Sequence, residues 1–184
     1  MNKRNLMAAL AGAVAMFIWS AVAHVALPLG EAGIKDVPNE QAVMTALQGV
    51  LGENRGMYAF PGMGTPPMTM DAYEKKLAVN PSGLLIYHPP GEKGMTPGQL
   101  GNEFATEFAE CLLVVFLLAQ TNLSGWMPRV GFVTAAGVLA AISTNVPYWN
   151  WIGFSAVFTV AAITTQIVAY LCAGMAIAVV MRNR

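Results

Sequence analysis

The sequence predicts an all-α membrane protein: four transmembrane helices, with a small α+β extracytoplasmic domain between helices 1 and 2. Three observations predict it. Hydrophobic residues make up 55% of the 184-residue chain and charged residues only 11%, against about 25% charged in an average soluble domain. The apolar residues gather in runs at 6–27, in the later part of 97–122, at 129–146 and at 151–181, each judged against a hydrocarbon core of about 30 Å. All ten acidic residues lie between Glu31 and Glu110, so both flanks of that interval are cationic or neutral.

The first span belongs to a segment at 1–28, where Lys3 and Arg4 precede the apolar run and Pro28 closes it. Its positive start and the Ala21-Val22-Ala23 triplet before His24 imitate a secretory signal. The apolar character continues through Val25 and Leu27, past that cleavage site, which favours a membrane helix.

Residues 29–95 form the extracytoplasmic domain. Pro38-Asn39 before Glu40 marks a helix start, Val43, Leu47, Val50 and Leu51 repeat at helical spacing, and Gly52 is the stop. The stretches 56–62 and 83–91 read as short strands ended by turns, able to pair across a helix at 71–79. Asp71, three residues before Glu74, reads as the capping arrangement of that helix, and Asn80-Pro81 closes it.

The second span grows out of a polar segment without a break. Thr96, Pro97 and Gln99 have the chemistry of a capping box with proline at the first helical position. At 97–122 the helix would be roughly 39 Å long at ~1.5 Å per residue, more than the bilayer core requires. Glu103, Glu107 and Glu110 fall within about 60° of one another on its outer half, forming a carboxylate stripe. Glu110 is expected to be the most deeply buried of the three.

The third span, 129–146, is bounded by Pro128 and Pro147 and carries Gly131, Ala135, Gly137 and Ala141, small residues that let membrane helices approach closely. Tyr148, Trp149 and Trp151 make an interfacial aromatic turn before the fourth span at 151–181. With both termini cytoplasmic, the inner side carries Lys3, Arg4, Arg129, Arg182 and Arg184 and no acid, as the positive-inside rule asks. Cys111 and Cys172 then lie near opposite faces, which argues against a disulfide.

An ionisable group below the membrane surface normally faces a bundle interior or a wet cavity, so Glu103, Glu107 and Glu110 with His24 form the candidate polar or ion site. Asn145, Asn150 and Thr159 reach a similar level and extend it, while Thr164, Thr165 and Gln166 read as interhelical hydrogen-bonding groups. The competing reading is a hydrogen-bonded structural cluster, since buried polar groups pair whatever the function. Met63, Met68 and Met70, with His88, are weak metal candidates through soft sulfur; the twelve methionines as general apolar filler explain them as well.

No cofactor is expected. The two histidines belong to different regions, and there is no nucleophile-base set, phosphate-binding glycine loop or Cys-x-x-Cys. Nucleic-acid binding has no support, because no basic face is interleaved with aromatics.

At GMYAFPG, GLLIYHPPG and MTPGQLGNEF the chain resembles a group of small, uncharacterised bacterial membrane proteins with a Y-x-F-P-G turn, a Y-H-P turn and a T/S-P-x-Q-L start to the second span. The resemblance implies a four-span topology in a bacterial inner membrane and brings no activity with it. The expected function is a non-catalytic accessory or assembly subunit in contact with lipid and with other membrane subunits or further copies of itself. The alternative is a small proton, cation or metal-handling protein built on the carboxylate-histidine cluster.

Overall fold

The computed structural model describes residues 2–182; Arg184, counted above among the inner-side cations, lies outside them. In chain order the described residues form α1 (Lys3–Ala21), α2 (Glu40–Leu51), β1 (Gly56–Phe60), α3 (Met70–Val79), β2 (Gly83–Tyr87), α4 (Pro97–Ala119), α5 (Trp126–Pro147) and α6 (Ala156–Val180). The chain divides into two compact units, one made of the residues up to Ile34 with those from Met95 onward, the other Lys35–Gly94. Residues 29–34 go with the helical unit, where Ser155 Oγ donates to Gly33 O at 3.3 Å.

In the smaller unit the two strands pair antiparallel, with Tyr58 opposite Leu85 and Met57 opposite Ile86. Buried Tyr87 donates its hydroxyl to Gly52 O at 2.8 Å, tying the end of α2 to the sheet. The helix α3 starts earlier than expected. Its cap is Thr69, whose hydroxyl accepts from Ala72 N, while Asp71 sits in the first turn and pairs with Lys75 at 2.6 Å. An extended Thr places its oxygen over the free N–H groups, whereas Asp71 is already helical and turns outward to the lysine one turn on.

In the helical unit α1 packs against both α4 and α6, and α6 against α5, while α4 and α5 barely touch. The helices therefore form a row, α4–α1–α6–α5, whose ends approach each other only loosely. Small residues on α1 (Ala8, Ala9 and Ala13) meet Cys111, Val115 and Leu118 of α4 and Ala173 and Ile177 of α6 in the core. Phe17 and Phe104 add an edge-to-face contact at 5.7 Å. Between α5 and α6 the helices come close at Gly137, where a Cβ would lie 2.3 Å from Tyr170 Cβ. Only half of the expected small-residue face does this. Gly137 and Ala141 are buried, but Gly131 and Ala135 are exposed, because a six-residue offset turns them about 120° away.

Three helices among the described residues are long and apolar enough to cross a membrane: Lys3–Ala26, Trp126–Ile152 and Ala156–Val180. This fits a membrane protein. The helix α4, expected as a further span, does not reach that standard. Three carboxylates occupy its first two-thirds, and the uninterrupted apolar stretch left after Glu110 is 111–119, about 14 Å at ~1.5 Å per residue. Its start is as expected: Thr96 Oγ accepts from Gln99 N, and Gln99 Oε1 accepts from Thr96 N at 2.7 Å.

Two spans extend through wider π-type turns, Val22–Ala26 after α1 and Tyr148–Ile152 after α5. Pro147 was expected to bound the third span. It lies inside the helix instead, at φ −59° and ψ −40°, because proline's fixed φ suits a helix and its missing N–H is absorbed by the wider turn. The last helix begins at Ala156, later than residue 151, since Gly153 at φ 85° interrupts the chain and Ser155 caps the new start.

Candidate functional site

The carboxylate stripe of α4 faces α1 and α6. Its members differ sharply in burial. Glu103 is exposed, Glu110 half-buried, and Glu107 only 5% exposed. The sequence expectation that Glu110 is the most buried is therefore corrected: burial follows the neighbour across the interface rather than depth along the axis, and α1 presents Ser20 directly to Glu107. Ser20 Oγ donates to Glu107 Oε1 at 2.7 Å. The other oxygen, Oε2, is buried and has no hydrogen-bond partner among the described residues.

One turn further along α4, Glu110 and the Tyr170 side chain of α6 both line the same space. Neighbouring contacts fix the surrounding helices. Trp19 Nε1 donates to Thr165 O at 2.9 Å, joining α1 to α6, and Asn145 Nδ2 donates to Gln166 Oε1 at 3.2 Å, joining α5 to α6.

His24 sits in the π-type turn that continues α1. Its Nδ1 lies 2.8 Å from Ser20 O. A carbonyl only accepts, so Nδ1 is the donor in this contact. The chain then folds back across the imidazole at Gly30, where a Cβ would come within 2.4 Å of His24 Cδ2. Only glycine leaves room for the ring in that position.

Together these groups line an open cavity of about 320 Å³. From α1 and its extension come Met16, Ser20 and His24; from α4, Glu103, Thr106, Glu107 and Glu110; from α5, Thr144 and Asn145; and from α6, Phe158, Thr165, Gln166 and Tyr170. No Lys or Arg among the described residues lines it. The loose approach of α4 to α5 is what leaves the space open. Of the expected site, Glu103, Glu107, Glu110, His24 and Asn145 are brought together. Thr159 is not: it is buried against its own helix, donating to Ser155 O. Asn150 is exposed and away from the cavity.

Ser20 and Tyr170 were not singled out from the sequence. Each is a lone polar residue in an apolar run, and the only available signal was that such a residue in a span needs a partner.

The weak metal candidates belong to the smaller unit. Met63 and Met68 bracket a turn closed by Met68 N to Met63 O at 2.9 Å, Met70 begins α3 and is exposed, and His88 is exposed after β2. Among the described residues no group of three or more His, Cys, Asp or Glu side chains is placed to hold a metal ion. Cys111 and Cys172 are free thiols.

At the C-terminal end of α6, guanidinium groups cap the helix. Arg4 Nε donates to Val180 O at 2.8 Å, and buried Arg129 donates from Nη1 to Met181 O and from Nε to Leu123 O at 3.2 Å. Cations suit a helix C-terminus, where unpaired carbonyls carry partial negative charge.

No protein-family model matches the chain, and no curated protein or solved structure shows significant similarity to it.

Proposed function

We propose that this chain is a small proton- or cation-handling protein of a bacterial inner membrane. In this reading α4 lies in the bilayer beside the three apolar helices, making four spans with both termini cytoplasmic. The arginines at the α6 end then face the positive-inside surface, and the acidic cavity opens toward the outer side. One observation carries the reading: Glu107, buried with its oxygen Oε2 lacking a partner among the described residues, is one of three carboxylates around a cavity that no described lysine or arginine lines. Removing a carboxylate from water costs several kcal/mol unless something pairs with it. A proton taken up by Glu107 removes that cost, and a cation in the cavity offsets the charge of the stripe, with Glu110, Glu103 and His24 as further stations.

The test is the thermal stability of the full chain in detergent as monovalent cations are added. A cation that binds the folded state at 100 times its Kd stabilises it by about 2.7 kcal/mol. That rise is expected in the wild type and not in Glu107→Gln; identical cation responses in the two proteins would end the reading.

Service as an accessory subunit is the second reading. Gly137 and Gly174 bring α5 and α6 together within the chain. The subunit reading is supported by the apolar groove between α1 and α6, where Ala11, Ala15 and Ala176 leave space for a partner helix. Extraction in mild detergent with stoichiometric partners would favour it; a lone chain or a homo-oligomer would remove the subunit role.

A further inference from the structure

We infer that the pocket between the end of α4, the start of α5 and the end of α6 binds a phosphate group through the guanidinium of Arg129. The inference uses nothing of the acidic cavity and goes beyond the function proposed above.

The pocket has a volume of about 310 Å³, and Leu118, Thr121, Asn122, Ser124, Arg129 and Met181 are among the residues that line it. Its walls are tied together from within. Thr121 Oγ1 donates to Leu118 O at 2.8 Å and accepts from Leu123 N at 3.3 Å, which fixes the turn leaving α4. Arg129 then donates from Nε to Leu123 O at 3.2 Å and from Nη1 to Met181 O, so its planar group is held between that turn and the end of α6.

Those two bonds leave Nη2 over. Arg129 is only 3% exposed, yet Nη2 is not sealed. Among the described residues the buried side-chain atoms without a hydrogen-bond partner belong to Asn5, Glu107 and Thr134. Nη2 donates to neither carbonyl and is not one of them, so it keeps an opening on the pocket that Arg129 lines. Asn122 and Ser124, both exposed, add an amide and a hydroxyl to the same lining.

Helix capping balances only part of the charge. A helix C-terminus is equivalent to roughly −0.5 of an elementary charge, against the full positive charge of a guanidinium. No Asp or Glu among the described residues lines the pocket. The last acid in the chain, Glu110, lies eight residues before Leu118 on α4, about 12 Å away at ~1.5 Å per residue. Arg4, bonded to Val180 O, and exposed Arg182 add positive charge at the same end of α6. The field of the pocket therefore draws anions.

Size and position select phosphate among anions. The space is far larger than a halide needs, and a guanidinium fork matches a polyatomic oxyanion with two N–H groups at once. Arg129 stands in the first turn of one helix long and apolar enough to cross a membrane, and Met181 directly follows another. The ends of such helices lie at the level of lipid phosphates, and basic pockets between them suit lipid head groups. A lipid phosphodiester and free inorganic phosphate present the same oxygens to Arg129.

The experiment is thermal unfolding of the full chain in an uncharged maltoside detergent, titrated with dihexanoylphosphatidylglycerol, dihexanoylglycerol, or inorganic phosphate, at ionic strength matched with sodium chloride. A saturable rise in melting temperature is expected with a phosphate-bearing compound and none with dihexanoylglycerol. Ser124→Asp places a carboxylate in the lining without removing either Arg129 bond, and is expected to weaken the phosphate response at least tenfold in midpoint concentration. Gln48→Glu, which adds the same charge in the smaller unit, leaves it unchanged. A phosphatidylglycerol midpoint at least tenfold below that of inorganic phosphate assigns the site to lipid; the reverse order assigns it to free phosphate. An equal response to dihexanoylglycerol, or to sodium chloride alone, overturns the inference on the wild type without any variant. Equal midpoints in Ser124→Asp and the wild type also overturn it, as does the absence of any response to phosphate in either form.

Discussion

Replacing Gly137 with alanine sets two physical effects of opposite sign against each other. In an open helix position alanine is favoured over glycine by about 1 kcal/mol, so helix propensity alone predicts a more stable protein. At Gly137 the added Cβ would stand 2.3 Å from Tyr170 Cβ and 2.5 Å from its Cγ. Ordinary carbon contacts lie at ~3.5–4.0 Å, so α5 and α6 must separate by roughly 1.5 Å at this point. The obstruction is at the root of a buried side chain, and no change of rotamer at Tyr170 moves its Cβ aside. Overpacking of this kind costs about 1–3 kcal/mol, enough to cancel the propensity gain and reverse it. The expected outcome is a melting temperature lowered by several degrees, since about 1 kcal/mol corresponds to ~2–4 °C for a chain of this size. Gly131→Ala is the internal control. It lies on the same helix with nothing within 4 Å, and it should melt at or slightly above the wild type. The assay is thermal unfolding of the full chain in detergent, followed by circular dichroism. A Gly137→Ala protein that melts no lower than Gly131→Ala would refute the close approach of the two helices.

Two further outcomes follow from contacts described above. Arg129→Met removes two charge-assisted hydrogen bonds from the carbonyls of Leu123 and Met181 and should cost about 3–6 kcal/mol in detergent unfolding, at ~1.5–3 kcal/mol each; Arg129→Lys should recover only part of it, because an ammonium cannot reach both oxygens in a fixed fork. Tyr87→Phe deletes the bond to Gly52 O at 2.8 Å and should cost about 1 kcal/mol, seen as faster amide exchange in β1 and β2 with no change in the helical unit.

The parts of the fold that were legible in the sequence are those governed by local chemistry. Thr96 and Gln99 announce a capping box because the geometry of a helix start depends on four consecutive residues. Gly52 marks the stop of α2 because a residue at φ 53° favours glycine. The two short strands stand out because turn residues bracket them. What was not legible depends on which helices meet. The pairs Gly131/Ala135 and Gly137/Ala141 look alike in sequence, and only the position of α6 decides that the second pair faces inward. The same holds at the site. The spacing of Glu103, Glu107 and Glu110 puts them on one face, but the burial of Glu107 comes from Ser20, 87 residues away along the chain. Its partnerless oxygen is a property of the packed helices and has no signature in any local pattern.

The position of α1 in the middle of the helical row sets a timetable for assembly. Its two neighbours are α4 and α6, yet α4 begins only at Pro97 and α6 at Ala156. At a synthesis rate of ~5–20 residues per second, α1 exists for roughly 4–15 s before α4 starts to emerge, and for longer before α6 does. Throughout that interval Ser20 lacks Glu107, Trp19 lacks the Thr165 carbonyl, and the alanine face of α1 is open to whatever surrounds it. By contrast α5 and α6, joined by a short turn, can pair as soon as both are made. The last event is then the docking of the α5–α6 hairpin, through α6, onto the α1–α4 pair made before it, and the acidic cavity comes into existence only at that step.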